Sequence, residues 1–238
     1  MSNDVINLPE WISGPIAVFD LETTGLDLKS ARIVTACAVK IDPDGKQIGN
    51  SLEWLADPGI PIPAIAAEVH GITTEFARTN GKNLREVVVE IVETLSGYFS
   101  EGIPVIAYNA PYDFTILKQH AIDFGIEWPE LPPQVVDPLV LDRQFDRYRK
   151  GGKKLTQVAP VYGVVLHDAH NATADAIAAG QVLQAMARKF STQLNIPLED
   201  LFSLQKTWSS EQEKNFADFM HRQGKTDFVY TPGWPEKF

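Results

Sequence analysis

An apolar run, Ile16-Ala17-Val18-Phe19, ends on two acids, Asp20 and Glu22, and then on Thr23-Thr24-Gly25. The run predicts a strand over 16–20. Side chains alternate across a strand, so Asp20 and Glu22 point to the same face. Two unneutralised carboxylates at one spot repel each other and lose hydration, so such a site wants a cation. Hard divalent ions such as magnesium prefer oxygen ligands. Two readings stand open at this point. Either the strand end holds a metal, or both acids are solvated there and Gly25 makes a turn.

The rest of the chain places that strand in a sheet. A second apolar run, Ile33 to Ile41, leads into Asp42-Pro43-Asp44-Gly45, a strong turn signal. Residues 47–55 follow as a third strand, which makes a hairpin with the second. The prolines at 58, 61 and 63 lack the N–H a central strand or helix interior needs, so a loop leads to a short helix near 64–69. Apolar residues at 84, 87, 88, 91, 92, 95 and 99 fit a helix. The compact run from Pro104 to Tyr108 reads as a buried fourth strand, and Pro111 suits the first turn of a helix running to about Phe124. Val135-Val136 is a short fifth strand ending at Asp137. Helices follow at 138–148 and 155–162, and the alanine-rich stretch 173–190 is helical on propensity. A last helix, 209–222, begins at the capping signature Ser-Ser-Glu-Gln. The tail behind it is rich in turns and aromatics, and is expected to pack back on the domain. Strands joined first by a hairpin and then alternating with helices indicate a mixed α/β sheet.

Bulk properties narrow the function classes. The first residues show no secretory pattern, and no apolar run approaches the roughly 20 residues of a membrane span. The one cysteine, Cys37, lies in an apolar strand and has no internal partner, which fits a reducing cytoplasm. Net charge is −10, which argues against a protein that wraps a polyanion. The charge is uneven, however. Residues 143–154 hold six basic side chains against one acid, a local charge of +5. That run reads either as a solvated loop or as a rim for phosphates beside an acidic, metal-loaded centre.

Two further acids join the first pair. Asp113, in Tyr-Asn-Ala-Pro-Tyr-Asp-Phe, falls at the start of a helix, and Asp175 falls in the first turn of the alanine-rich helix. Each alone is an ordinary first-turn residue. Together all three motifs fall at element ends, where α/β sheets place their sites. His170 precedes Asp175 by five residues, which is not a same-face helical spacing, so it belongs to the loop before that helix. A neutral imidazole there suits taking a proton from an attacking water near neutral pH.

The segments Asp-Leu-Glu-Thr-Thr-Gly (20–25), Tyr-Asn-Ala-Pro-Tyr-Asp-Phe (108–114) and His-Asn-Ala-Thr-Ala-Asp (170–175) resemble the three motifs of the DEDDh 3′→5′ exonucleases, the DnaQ-like family. That family includes the proofreading epsilon subunit of DNA polymerase III. The resemblance covers roughly residues 14–192, the expected exonuclease domain, and leaves 193–238 as a C-terminal helical extension. It implies a ribonuclease H-like mixed five-stranded sheet flanked by helices. Asn171 stands where the tyrosine-bearing sister group has its tyrosine, which indicates the histidine subclass. Glu-Val-His-Gly-Ile-Thr (68–73) resembles the stretch that, in epsilon-like members, lies beside the terminal nucleotide, so His70 would line the substrate pocket. Tyr108 and Tyr112 replace the histidine and phenylalanine many relatives carry, keeping an aromatic ring at each position.

The resemblance also implies roles. Two divalent ions, magnesium or manganese, would be held by Asp20, Glu22, Asp113 and Asp175, with His170 as general base. Thr23, Thr24, Gly25 and Leu26 would hold the terminal nucleotide, together with Asn109 and Tyr112. The expected reaction is hydrolysis of single-stranded DNA from its 3′ end to nucleoside monophosphates, in proofreading or repair. An RNA-trimming exoribonuclease of the same family is the alternative, and a catalytically silent nucleic-acid-binding module comes from a different class. The partners so implied are a DNA polymerase or a sliding clamp. Gln-Leu-Asn-Ile-Pro-Leu (193–198) faintly resembles clamp-binding peptides but lacks their aromatic ending.

Overall fold

The computed structural model describes residues 8–166 and 172–237. Its first strand, β1 (Ile16–Thr23), carries both Asp20 and Glu22 inside it. β2 (Ile33–Ile41) pairs antiparallel with β1 and β3 (Gln47–Asp57) pairs antiparallel with β2. The β2–β3 turn forms as its residues predict. The Asp42 carboxylate accepts from the amides of Asp44 (3.0 Å) and Lys46 (2.8 Å), and Gly45 takes the left-handed φ of 79°.

Past the proline loop come two short helices, α1 (Ala64–His70) and α2 (Thr74–Asn80). Then β4 (Lys82–Asn83) adds to the end of β3 in parallel, pairing with Ala56 and Asp57. It makes a sixth strand where five are expected, because two polar residues carry no alternation to read. α3 (Leu84–Ser100), β5 (Val105–Ile106), α4 (Ala110–Asp123), β6 (Val135–Val136) and α5 (Pro138–Phe145) follow. α6 (Leu155–Val158) runs into a single 3₁₀ turn. Then come α7 (Ala172–Lys189), α8 (Ser191–Leu194) and α9 (Leu198–Arg222). The sheet order is β4-β3-β2-β1-β5-β6, and β5 and β6 run parallel to β1.

Alternation on β1 divides the core. Ala17, Phe19 and Leu21 pack with residues of α3 and α4, among them Val88, Ile91 and Phe114. Ile16 and Val18 pack on the other face with residues of α7, among them Val182, Leu183 and Met186. Asp20 and Glu22 continue this second face. Helix α7 lies close to it at Gly180, where an added Cβ would stand 2.6 Å from Val18 Cγ1 and Ile41 Cδ1.

The last helix begins at Leu198, eleven residues before the expected start. Ser209, read as a cap, is buried inside it. Its start is set by Pro197 and by Glu199 and Asp200 in the first turn, where acids favour the helix dipole. Behind it, Trp234 packs edge-on against Phe202 with ring centroids 5.1 Å apart. Glu236 accepts from Lys118 Nζ (2.5 Å) and Trp128 Nε1 (3.0 Å). In the stretch 193–198, Leu194 is fully buried and Ile196 and Leu198 pack on the α7 side of the core. No described helix is long and apolar enough to cross a membrane.

Candidate active site

The site begins with unequal strand lengths. β5 pairs with β1 only at Ala17 and Val18, and then its chain turns away at Ile106. β1 runs on to Thr23, so the Leu21 N–H has no strand beside it. Asp113 supplies the partner, its Oδ1 accepting from that amide at 3.0 Å. The first turn of α4 is thereby fixed to the end of β1.

A second carboxylate fixes where α4 begins. Asn109, at its N-cap, adopts a left-handed backbone (φ 68°, ψ 49°), which asparagine tolerates better than most residues. Asp137, buried at the end of β6, accepts from Asn109 N (2.9 Å) and Leu139 N (2.9 Å) with Oδ1, and from Ala110 N (3.0 Å) with Oδ2. Trp234 Nε1 lies 3.4 Å from Oδ2. The Asp137 N–H donates to Gln205 Oε1 of α9 at 2.8 Å, and Gln205 Nε2 donates to the Val135 carbonyl at 3.2 Å. Sequence reading marks Asp137 only as the residue after a strand. The Asp-Pro pair that opens α5 is the signal for its capping role, and nothing local announces its reach to α4.

Asp20, Glu22, Asp113 and Asp175 act on one another. Asp20 is pushed well above the usual carboxylate range, first by burial and then by Asp113, Glu22 and Asp175. Glu22 is pushed up to about 7 by burial and then by Asp175. Asp113 is also raised, burial outweighing the Leu21 N–H that favours its charge. Among the described residues, the charges that shift Asp20 are all carboxylates: Asp113, Glu22 and Asp175. A set of hard oxygen donors that repel one another fits magnesium or manganese. Among the described residues no three of these side chains already stand in ligating positions around one point. His170, and Asn171 beside it, lie outside the described residues.

The turn after β1 is tied internally. Thr23 Oγ1 donates to the Gly25 carbonyl at 2.8 Å, and the Tyr112 hydroxyl meets both Thr23 Oγ1 and, at 2.8 Å, the Gly25 carbonyl. The hydroxyl that tyrosine adds to a phenylalanine ring thus holds this turn. Thr24 N–H donates to the Arg32 carbonyl (2.9 Å) and Thr24 Oγ1 accepts from Arg32 N (3.0 Å). Leu26 projects outward, 88% exposed. His70, at the end of α1, accepts from Ile72 N with Nδ1 at 3.2 Å. Burial lowers its pKa, while the Thr23 backbone opposes the shift, so the imidazole sits against the turn. It lines a cleft of about 360 Å³ together with Thr35, the cross-strand partner of Glu22, and with Glu53 and Thr173.

The basic run 143–154 divides its side chains. Asp142, wholly buried, binds Arg149 Nη2 (2.8 Å), Lys153 Nζ (2.6 Å) and the Tyr162 hydroxyl (3.0 Å). The Tyr108 hydroxyl donates to the Lys153 carbonyl at 2.6 Å, which ties the loop to the residue before Asn109. Arg143 and Arg147 remain exposed, and among the described residues they enter no ion pair.

Comparison with known proteins gives the chain's relatives in sequence and fold. The exonuclease family model (RNase_T) matches residues 17–183. The DNA polymerase III PolC-type protein of Caldanaerobacter subterraneus subsp. tengcongensis is 30% identical over 178 residues, covering 75% of this chain and 12% of that protein. A DNA polymerase III subunit epsilon-like protein of Rhodobacter capsulatus is 35% identical over 109 residues, 45% of this chain and 15% of that one. The chain therefore spans only a small part of the curated relatives it matches. Among solved structures, E. coli exonuclease I in complex with a dA16 oligonucleotide superposes with a TM-score of 0.65 at 18% identity, over 80% of this chain and 43% of that one. Exonuclease I of Methylocaldum szegediense gives 0.62 at 20% identity, over 84% and 45%. The fold is thus ribonuclease H-like, with its sheet extended to six strands. With the family model spanning β1 to α7, the chain belongs to the DnaQ-like exonuclease family.

Proposed function

We propose that the chain is a metal-dependent 3′→5′ exonuclease that hydrolyses single-stranded DNA ends to nucleoside monophosphates, in proofreading or repair. One observation carries the reading: carboxylates from three distant segments act on one another at the end of β1, where burial and then Asp113, Glu22 and Asp175 raise Asp20, and burial and then Asp175 raise Glu22. Such mutual repulsion is a cost to the fold unless a cation is meant to be there. Two divalent ions, held by these four side chains, would supply activation of water and neutralisation of the charge growing on the attacked phosphate and the leaving oxygen.

The protein's own residues do the rest. His170 takes the proton of the attacking water as its oxygen bonds to phosphorus and the P–O3′ bond breaks. The shortened strand leaves with a free 3′ hydroxyl. Thr23, Thr24 and Gly25 form the floor for the terminal nucleotide, and the Tyr112 hydroxyl keeps that floor rigid. Leu26, already exposed, is the wedge against the terminal base. His70 and Asn109 bound the pocket on either side. The names of the PolC-type and epsilon-like relatives support a DNA polymerase as partner and a cytoplasmic place of work. The clamp-like stretch 193–198 gives weaker support for a sliding clamp, because its apolar side chains pack inward.

The test is digestion of 5′-labelled single-stranded DNA with magnesium or manganese. Shortening from the 3′ end should release nucleoside monophosphates, and Asp20→Ala should lower the rate at least a thousandfold. Full activity in that variant would sink the assignment. The same assay on RNA of equal length separates the DNA reading from an exoribonuclease.

A further inference from the structure

A groove of about 620 Å³ opens beside the site, between α5, α9 and the C-terminal tail. That is room for a drug-sized ligand, for which pockets run from roughly 300 to 1,000 Å³. Asn109 lies on its wall, four residues before Asp113, so the groove starts about one helical turn (~6 Å) along α4 from Asp113. Arg143 and Arg147 line one side, and Phe216, Phe228 and Tyr230 line the other.

The two sides differ in chemistry. Arg143 and Arg147 are exposed and in no ion pair among the described residues, whereas Arg149 and Lys153 of the same run are held by Asp142. The anchored pair shapes the loop, and the unanchored pair offers charge to the groove. Opposite them, Phe216 is 51% exposed and stands edge-on to Phe228 at 5.3 Å. Tyr230 is fixed against α9 by a 2.7 Å hydrogen bond between its hydroxyl and Ser210. Two acids also line the groove. Glu213 is paired with Lys237, and Glu211 remains. On a chain of net charge −10, a wall with two unpaired arginines is a local reversal of sign.

We propose that this groove binds the single-stranded nucleic acid immediately behind the terminal nucleotide, phosphates on the arginines and bases on the aromatic rings. Stacking on aromatic faces with cationic contacts to phosphate is how proteins hold single strands without reading sequence. A duplex cannot use the groove, because its bases are already stacked on one another. The binder is built by α9 and the tail, outside the 17–183 span of the family model. The inference rests on the exonuclease reading above, so its test must separate the two.

The full chain and its Arg143→Gln/Arg147→Gln and Phe216→Ala variants are titrated against a 5′-fluorescent dT12 in EDTA, where nothing is hydrolysed. Loss of two phosphate contacts should lower the slope of log K against log salt by about 1.4, at roughly 0.7 per charge for single strands. It should weaken binding about tenfold at moderate salt. Phe216→Ala should weaken binding about tenfold with its salt slope unchanged. Hydrolysis of the p-nitrophenyl ester of thymidine 5′-monophosphate, which has no second nucleotide, should stay at the wild-type rate in every variant. Equal affinity and slope in wild type and variants, or no binding of dT12 by the wild type, overturns the groove. If the Arg143→Gln/Arg147→Gln variant loses ester hydrolysis as well, Arg143→Lys/Arg147→Lys, which keeps the charge, must restore dT12 binding, and failure to do so overturns it too. A wild-type chain that hydrolyses neither ester nor oligonucleotide with manganese sinks the exonuclease reading on its own, whatever the groove binds.

Discussion

Glu22 illustrates what the site costs as a single residue. Its carboxyl, with an ordinary value of 4.5, is pushed up to about 7 in the folded chain without metal. The native state therefore keeps a proton that the unfolded chain gives up, and the contribution to stability falls as pH rises from about 4.5 through 7. At pH 8 the group is charged, partly buried away from water, repelled by Asp175 and opposed to folding. Replacing it by the neutral amide, Glu22→Gln, should raise the unfolding free energy of the EDTA-treated protein at pH 8 by about 1–3 kcal/mol. The gain should shrink towards zero below pH 5, while nuclease activity is lost. Denaturant unfolding at the two pH values reads this directly. Coincident curves at pH 8 would mean that the repulsion is relieved some other way.

At the scale of elements, the fit of α7 to the sheet decides where Asp175 stands. Gly180 lets the helix lie against Val18 and Ile41. The Val18 methyl sits on a stiff β-branched side chain, so Gly180→Ala forces a shift of the helix or the strand, at about 1–3 kcal/mol. Because Asp175 rides on the same helix, turnover should fall at least tenfold in a variant that still melts cooperatively. Unchanged turnover would show that α7 has slack. Much of this layer was legible in the chain. The apolar spacing of α3 and the paired prolines and glycines around β2 and β3 are local signals, and local physics decides them. The positions of the four acids were legible from local signals, Asp20 and Glu22 near the end of β1 and Asp113 and Asp175 in the first turns of α4 and α7. What escaped was long-range. β4 exists only because two polar residues meet the end of β3. The cap-like Ser-Ser-Glu-Gln falls within α9, because tertiary burial of Leu201 and Phe202 extends that helix past its own weak propensity. Asp137 and Gln205 look like ordinary polar residues until β6, α4 and α9 are brought together.

Taken as a whole, the molecule closes its sheet on the β6 side with α9 and the tail, and Asp137 is where they meet the site. One carboxylate receives the amides of Asn109, Ala110 and Leu139, with the Trp234 indole against it. Amides that share one acceptor cannot be released one at a time without leaving that buried charge poorly satisfied. Their hydrogen exchange should therefore belong to one cooperative opening, with a common free energy and a common denaturant dependence. Trp234→Ala should speed all three together, by about tenfold or more, and leave the β1–β2 amides unmoved. Three unrelated exchange rates would mean that the carboxylate is not the shared latch. If they move as one, the C-terminal tail sets how often the doorway to Asp113 breathes, although it lies more than a hundred residues along the chain from the acid it guards.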